Sequence, residues 1–387
     1  MHPTKRLALA NALDQIVLER RQLLSAAVMV QHGKAQVFTH ATGQANGPHG
    51  PQRAYTLSTN IRFASVSKAV TARALCVLMV EGKITPTTAI VEVLGPAYRH
   101  PLYPDDPITI AHLLTHTAGL SDAASYYVDP PDGLSAFVTK NAPQIFTPQR
   151  PGTWFSYSNL GFVIAGALLE KVTGNRFDEA IAKLVLDPLS ISGRFNWLGM
   201  SLQARAASAP ACRLTAAGFE PQIDLAPPPD GLHDRHGRPF DLSAYRLGED
   251  ISLFSAHAGL RMNMHDALRL ASALADGSPA ARLQSAPHWH FQPEPPNGDD
   301  VEGLFTGYGY GVQRHAPSPW YSGSLVGHFG NAFGFAGAVW HDPDRDLAFA
   351  YALNGLPAKP GPSDREHFYG PTERLILAHI DEAFAPR

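Results

Sequence analysis

Cysteine is scarce in this chain. Only two occur among 387 residues, Cys76 and Cys212, which is too few for the disulfide framework of a small secreted domain. Cys76 lies inside an apolar stretch with helical character, where a free thiol usually packs as a small hydrophobic group. Neither cysteine is therefore expected to carry function.

Charge of either sign is also limited. Charged residues make up 17% of the chain against 44% hydrophobic residues, and the formal net charge is −3. The basic residues are scattered, so the sequence offers no electrostatic reason to expect nucleic acid or an anionic membrane as a partner. We expect a small-molecule substrate, and the sequence does not indicate an oligomeric state.

Long apolar runs are missing as well. No segment approaches the roughly 18 apolar residues of a membrane span. Residues 1–6 are basic, but the apolar segment 7–13 that follows is short, contains Asn11 and runs directly into Asp14. This pattern is typical of an amphipathic helix rather than a secretory signal. The expected location is the cytoplasm.

Motifs for metals and phosphates are absent too. The chain has 18 histidines but no His-Glu-x-x-His, and His288 and His290 stand in a proline-rich region without neighbouring carboxylates. No Gly-x-x-x-x-Gly-Lys loop occurs. We expect neither a catalytic metal nor a cofactor.

One Ser-x-x-Lys segment, Ser65 to Lys68, precedes an apolar run with helical character over residues 69–81 that stops at Gly82. Ser65 then lies at the helix start with Lys68 one turn later on the same face. A buried, neutral lysine can take the proton of such a serine. The alternative is that Ser65 only caps the helix, because serine is a favoured N-cap residue.

Two further elements follow this one. Tyr157-Ser158-Asn159 is the one Tyr-x-Asn of the chain and precedes an apolar helix over residues 160–173. His328-Phe329-Gly330 lies in a segment with strand character. A competing His-x-Gly begins at His257, but a helical pattern follows it, so the strand context favours His328. Asn159 could instead simply cap its helix, with Tyr157 packed under it.

The order of elements predicts the architecture. Two β-rich runs, residues 25–30 and 35–40, form a hairpin near the N-terminus. Strand character returns late in the chain, over residues 309–312, 325–329, 334–341 and 347–353, before a closing helix over residues 373–384. We therefore expect residues 1–84 and 257–387 to form one α/β sheet domain. Residues 85–256 would form a mostly helical inserted domain, with the active site in the cleft between the two.

Three segments carry a family resemblance: residues 63–68, 108–120 and 151–159. In their order and spacing they resemble the serine β-lactamase and penicillin-binding-protein superfamily, in its branch of class C β-lactamases, family VIII esterases and D-aminopeptidases. The resemblance extends from about residue 28 to residue 353. It implies a β-lactamase/transpeptidase-like fold of the α/β (α+β) class, an antiparallel sheet flanked by helices with a mostly helical insertion.

The resemblance also implies catalytic roles. Ser65 is the acyl-accepting nucleophile, Lys68 is its proton acceptor, and Tyr157 passes the proton to the leaving group and helps to activate the deacylating water. A phenol normally titrates near pH 10, so Tyr157 acts as a base only if Lys68 lowers its pKa.

Binding roles follow from the same resemblance. Asn159 would donate its side-chain amide to the substrate, and the backbone N–H groups of Ser65 and Asn331, the latter on an edge strand, would form an oxyanion hole. Gly330 would let the substrate approach that strand closely. His328 stands where the β-lactamases carry a lysine that attracts the substrate carboxylate, and a neutral imidazole is a weaker anchor.

These assignments predict a serine hydrolase that acts through an acyl-enzyme on small esters or amides. The substitution at His328 favours a carboxylesterase or a peptidase/amidase over antibiotic hydrolysis. Two alternatives remain open: an acyltransferase that uses the same acyl-enzyme, and a non-catalytic ligand-binding or sensor protein of the same fold.

Overall fold

The structure, a computed structural model, describes residues 3–47, 52–225, 231–299, 305–358 and 369–384. Its strands are β1 (Ser25–His32), β2 (Ala35–Gly43), β3 (Ile61–Arg62), β4 (Arg194–Phe195), β5 (Ala211–Thr215), β6 (Gly218–Ile223), β7 (Leu232–His233), β8 (Pro239–Phe240), β9 (Leu260–Met262), β10 (Trp289–His290), β11 (Gly307–Tyr308), β12 (Gln313–His315), β13 (Leu325–Ala332), β14 (Phe335–Asp342) and β15 (Leu347–Asn354). Its α-helices are α1 (Pro3–Asp14), α2 (Ser67–Val80), α3 (Ile90–Leu94), α4 (Ile110–Leu114), α5 (Leu134–Lys140), α6 (Ala142–Ile145), α7 (Asn159–Thr173), α8 (Phe177–Ile181), α9 (Leu202–Ala206), α10 (Met264–Ala273), α11 (Pro279–Ser285) and α12 (Pro371–Phe384). Each of these helices is too short or too polar to cross a lipid bilayer.

An eight-stranded antiparallel sheet joins the two ends of the chain. Its strand order is β10-β11-β12-β13-β14-β15-β1-β2, so the N-terminal hairpin pairs through β1 with β15. The predicted hairpin is confirmed, and so are the strands predicted at residues 325–329, 334–341 and 347–353. The architecture is the expected mixture of helices and antiparallel sheet.

Alternate side chains of β1 enter two separate cores. Ala27 and Met29 pack into the larger core, which contains α2, α7 and α10, whereas Val28 and Val30 pack into a second core with α1 and α12. Since successive residues of a strand point to opposite faces, a strand covered on both faces is apolar throughout. This explains the uninterrupted apolar runs of the central strands.

Short elements occupy the middle of the chain. Between residues 85 and 256 the described residues form α3 to α9 and the two- to six-residue strands β4 to β8. The buried helix α7 begins after Ser158 and ends at Gly174, which adopts the left-handed conformation at φ 66°. The division into two domains at these boundaries stays a prediction.

The segment 309–312 was predicted as a strand, and this is wrong. It forms the turn between β11 and β12, in which the Gly309 N–H donates to the Val312 carbonyl at 2.8 Å. Gly311 lies at φ +64°, and a Cβ there would come within 2.5 Å of the Ala72 side chain on α2. Glycine is needed because the turn both reverses the chain and touches a helix.

Strand β13 is an edge strand only in its second half. Its first residues, Leu325 to Gly327, pair with β12, while β14 pairs with it from Val326 to Ala332. The expectation of an edge strand is therefore wrong for the start of β13. From His328 onward no strand lies on the other side within the described residues, and this half passes the start of α2.

Candidate active site

The nucleophile candidate lies on a tight turn just before α2. Residues Ala64–Val66 form one turn of 3-10 helix, with Ala64 in the left-handed region at φ 45°. The Ser67 hydroxyl donates to the Ala64 carbonyl at 2.6 Å and accepts from the Leu260 N–H at 2.9 Å. The second serine of the segment therefore stabilises a strained backbone that presents Ser65.

Lys68 is completely buried and its amine is fully bonded. Its Nζ donates to Asn159 Oδ1 at 2.8 Å and to the His257 carbonyl at 3.2 Å, and it lies 3.2 Å from Ser65 Oγ, to which it donates when charged and from which it accepts when neutral. Burial lowers the pKa of Lys68 to about 7, although the nearby Asp122 carboxylate acts in the opposite direction. A large fraction of the amine is therefore neutral near pH 7 and can accept the Ser65 proton.

Tyr157 lies beside this amine, with its ring centroid 4.8 Å from Lys68 Nζ. Burial raises the pKa of Tyr157 above its ordinary value, and a hydrogen bond with Ser65 only partly opposes this. The condition for Tyr157 to act as a base, a pKa lowered by Lys68, is therefore not met, because desolvation of the phenolate is the largest effect on this pKa. Tyr157 is a protonated phenol.

Asn159 is the first residue of α7 and not its cap. The Ser158 hydroxyl caps the helix by accepting from the Gly161 N–H at 3.2 Å, so the capping alternative for Asn159 is wrong. The Asn159 amide joins Lys68 to Asp122, since its Nδ2 donates to Asp122 Oδ2 at 2.9 Å. Among the described residues, the second N–H of this amide has no hydrogen-bond acceptor.

Asp122 is a site residue that the sequence patterns did not reveal. Its carboxylate accepts from the Ser158 hydroxyl and from the backbone N–H groups of Asn159 and Leu160, each at 2.9 Å. A carboxylate at a helix N-terminus neutralises unpaired N–H groups and is favoured by the helix dipole. The available signal was that α7 has no acidic residue in its own first turn.

His328 is placed in β13, as its strand context predicted, but its side chain is fully buried. Its Nδ1 lies 2.5 Å from the Phe329 carbonyl and its Nε2 lies 3.0 Å from Tyr308 Oη. Burial lowers the pKa of His328 to about 3, and Lys68 adds to this effect. The ring is neutral, buried and bonded at both nitrogens, so the prediction that His328 binds the substrate, as a weaker anchor than lysine, is wrong.

The bonds of His328 continue to the second motif. His116 Nε2 lies 3.2 Å from Tyr308 Oη, and the Ser158 N–H donates to His116 Nδ1 at 3.1 Å. A carbonyl can only accept, so His328 carries its proton on Nδ1, Tyr308 donates to His328, and His116 donates to Tyr308. The His116 ring stacks on Tyr157 at 4.3 Å. This chain of bonds supports the position of Tyr157 from behind.

Both His-x-Gly segments belong to the site. The carbonyl of His257 accepts from Lys68, and its imidazole lines the cleft. Gly330 on β13 passes so close to the nucleophile turn that a Cβ there would lie 2.9 Å from the Ser65 N and 2.3 Å from the Phe63 carbonyl. Glycine at this position is a steric requirement.

The cleft in front of these groups has a volume of about 980 Å³. Of the sequence-predicted residues, Ser65, Asn159 and Asn331 line it together with His257, whereas Lys68, Tyr157, Gly330 and His328 are not among its described lining residues. A cavity of this volume accommodates a small organic substrate.

Comparison with known protein families gives one match along nearly the whole chain. The Beta-lactamase family model matches residues 10–368. Among curated proteins, esterase EstB of Burkholderia gladioli is 32% identical over 197 residues, which cover 46% of this chain and 48% of EstB. A β-lactamase of Providencia stuartii is 26% identical over 186 residues, covering 46% of this chain and 45% of that protein. The chain thus matches about half the length of these relatives.

Solved structures share the fold. The D-amino acid amidase of Ochrobactrum anthropi, complexed with D-phenylalanine, superposes with a TM-score of 0.73 at 16% identity, covering 99% of this chain and 100% of the amidase. A class C β-lactamase mutant superposes with a TM-score of 0.70 at 14% identity, covering 98% of this chain and 97% of the other. The β-lactamase/transpeptidase-like fold predicted from the sequence is confirmed.

Proposed function

This chain belongs to the Beta-lactamase family, whose relatives include serine hydrolases, and from that premise we propose that it hydrolyses small esters or amides through an acyl-enzyme on Ser65. The observation that carries the proposal is the amine of Lys68, 3.2 Å from Ser65 Oγ. Its burial, which lowers its pKa to about 7, makes it a base at neutral pH.

Acylation begins with transfer of the Ser65 hydroxyl proton to Lys68 Nζ as Oγ attacks the substrate carbonyl carbon. The negative charge that develops on the carbonyl oxygen is stabilised by the backbone N–H groups of Ser65 and Asn331. The scissile bond then breaks, and the protonated phenol of Tyr157 gives its proton to the departing oxygen or nitrogen. Lys68 reprotonates Tyr157, which restores both groups and leaves the acyl group on Ser65.

Deacylation repeats these transfers with water as the nucleophile. A water molecule gives a proton to the Lys68 and Tyr157 pair, attacks the acyl carbon, and releases the acid as Ser65 recovers its proton. Asn159 contributes by holding Lys68 through its Oδ1 at 2.8 Å and by offering its remaining amide N–H to the substrate.

Esters and amides are favoured as substrates for two reasons. His328 supplies no positive charge at the position where the β-lactamases carry a lysine, because it is buried, neutral and bonded to Tyr308. In addition, one relative is named an esterase and a structural neighbour is named a D-amino acid amidase. These names motivate the substrate panel and belong to those proteins.

The test is covalent labelling followed by substrate profiling. We expect a fluorophosphonate to label the purified protein at Ser65, and p-nitrophenyl esters or D-amino-acid amides to be turned over better than nitrocefin. Faster turnover in the presence of an added alcohol, with transfer of the acyl group to it, would indicate an acyltransferase. A protein that neither labels nor turns over any substrate would contradict the proposal and favour the ligand-binding alternative.

A further inference from the structure

A pair of arginines on the cleft wall has no part in the chemistry described above. Arg62 and Arg261 lie directly opposite each other on β3 and β9, and both line the cleft that contains Ser65. Only 11% of the Arg62 side chain and 4% of the Arg261 side chain are exposed. Like charges directly across a sheet destabilise it, so the pairing needs an explanation.

One carboxylate serves both arginines. Asp224 accepts two hydrogen bonds from Arg62, both at 3.3 Å, and two from Arg261 at 3.1 and 2.7 Å. Burial alone would raise the pKa of Asp224, but Arg261 and Arg62 hold it well below its usual value. The three side chains together therefore carry a net positive charge in a desolvated wall. An arginine and an aspartate would have sufficed for a purely structural contact.

The guanidinium groups have bonding capacity left over. Each has five N–H groups, and within the described residues Arg62 makes one further bond, to the Ala258 carbonyl, and Arg261 makes one, to the Gly259 carbonyl. The face of Arg261 stacks on Trp197, with its guanidinium carbon 4.4 Å from the ring centroid, which fixes the orientation of the group. Among the described residues, two of the five N–H groups of each arginine have no hydrogen-bond partner.

The cleft lining as a whole also contains more positively than negatively charged side chains. Its described lining includes four arginines but two aspartates, Asp224 and Asp234, although one of the four, Arg235, pairs with Asp129 outside the lining at 2.6 Å. Two buried imidazoles of the same lining, His233 and His257, each have a ring nitrogen without a hydrogen-bond partner among the described residues. Unpartnered buried polar groups beside a fixed positive charge are typical of a site that is completed by a polar ligand.

We propose that Arg62 and Arg261 form a carboxylate-binding subsite, so that the protein selects ester or amide substrates that carry a second, free carboxylate. The planar fork of a guanidinium matches a carboxylate better than an ammonium group does. The proposal rests on the serine-hydrolase function for its catalytic readout. It also places the cationic anchor of the cleft on β3 and β9, away from His328.

Two matched substrate pairs test the subsite. The first is 4-nitrophenyl hydrogen glutarate against 4-nitrophenyl methyl glutarate, in which the charge is on the acyl side. The second is 4-acetoxybenzoate against its methyl ester, in which the charge is on the leaving group. We expect one pair to show a higher kcat/KM for the acid, and Arg62→Gln to lower that acid-to-ester ratio by about 10- to 100-fold. Arg62→Lys should restore part of the ratio because it keeps the charge.

Arg194→Gln is the matched control. Arg194 is the third arginine in register on this small sheet, opposite Arg261, but it bonds to the carbonyls of Ile191 and Gly193. It is not among the described residues that line the cleft. We expect Arg194→Gln to leave the acid-to-ester ratio unchanged, which separates the subsite from a general effect on the sheet.

Calorimetric titration with monomethyl glutarate and with benzoate separates the subsite from the chemistry. We expect at least one of these anions to bind the wild type, and Arg62→Gln to weaken its binding about tenfold or more. This expectation holds even if no ester is hydrolysed, so failure of the hydrolase function and failure of the subsite are distinguishable. Neutral esters hydrolysed as well as acids by the wild type, together with anion binding that is absent or insensitive to Arg62, would overturn the subsite and leave the hydrolase intact.

Discussion

The cleft contains two buried cationic clusters that differ in the partners of their charged groups. Lys68 bonds only to uncharged oxygens, those of Ser65, Asn159 and His257, and its pKa falls to about 7. Arg62 and Arg261 instead bond to the carboxylate of Asp224. Both clusters are desolvated, yet one contains a titrating base and the other a permanent charge.

The effect of burial on a cation therefore depends on its bonding partner as well as on the residue type. Desolvation disfavours the charged amine, and no carboxylate contacts Lys68 directly among the described residues to compensate for it. Asp122 lies one hydrogen bond further away, behind Asn159, and only moderates the shift. In the arginine cluster a buried carboxylate and the high intrinsic pKa of the guanidinium keep the charge.

Ser65→Ala removes the proposed nucleophile and has the largest expected effect on turnover. The variant should lose turnover of p-nitrophenyl acetate down to the uncatalysed background, because no oxygen remains to form the acyl-enzyme. Its thermal midpoint should stay close to that of the wild type. Ser67→Ala is the control, since it should lower stability by roughly 1–3 kcal/mol through its two lost buried bonds and still be acylated. Full turnover by Ser65→Ala would contradict the assignment.

Lys68→Ala and Tyr157→Phe test whether the base and the phenol act together. Each should lower kcat by roughly 10²- to 10⁴-fold, the range of general acid–base catalysis. The double variant should lose much less than the sum of the two free-energy losses, because residues of one proton relay are strongly non-additive. Steady-state kinetics of the four proteins measure this. Additive losses would mean that Tyr157 only packs against the site.

Asp122→Asn removes a carboxylate charge near Lys68, whereas Arg62 and Arg261 keep the carboxylate of Asp224. The Asp122 carboxylate raises the pKa of Lys68, so removing its charge should lower that pKa further. Because Lys68 accepts a proton only when neutral, the rise of kcat/KM with pH should move to lower pH. Loss of the helix-capping carboxylate should also cost about 1 kcal/mol of stability.

The control for this shift is Asp299→Asn. Asp299 also bonds near the second motif, accepting from the Ser156 hydroxyl at 2.6 Å, but it does not act on the pKa of Lys68. Its pH profile should match that of the wild type. An unchanged pH profile in Asp122→Asn would show that Asp122 does not influence the pKa of Lys68.

Tyr308→Phe removes the hydroxyl that joins His116 to His328 behind the site. It has the smallest expected effect on kcat. It leaves His116 without an acceptor and His328 without a donor, which should cost roughly 1–3 kcal/mol of stability for each buried group left unpaired. The kcat should fall less than in Tyr157→Phe, since Tyr308 does not touch the reacting atoms. Tyr310→Phe, whose ring stacks on His288 at 3.7 Å, serves as the control. Equal stability losses in the two variants would argue against the buried chain of bonds.

That Ser65, Lys68, Tyr157 and Asn159 lie together could be predicted from the sequence because local patterns mark them. Helix α2 begins within the segment Ser65 to Lys68, and α7 begins at Asn159. The cap and the apolar periodicity of a helix start can be recognised in a sequence. The paired strands at both ends of the chain were visible for the same reason, since their apolar runs and turns are local.

The remaining site residues depend on distant pairings. Asp122 reaches α7 from a loop 36 positions earlier, and Asp224 meets Arg62 across 162 positions. The direction of the His328 side chain depends on the register of β13 with β14 and on Tyr308 from another strand. No local sequence pattern encodes these contacts, because they form only when distant segments pack together.

The central claim is that Ser65 is acylated with a neutral Lys68 as the base. The most direct test is the rate at which an activated ester acylates the wild-type protein between pH 5 and pH 9, followed by intact-mass spectrometry and peptide mapping. We expect a single acyl group on Ser65 and a rate that rises with pH, with a midpoint at the Lys68 pKa of about 7. A rate that does not change with pH across this range, or an acyl group on another residue, would contradict it.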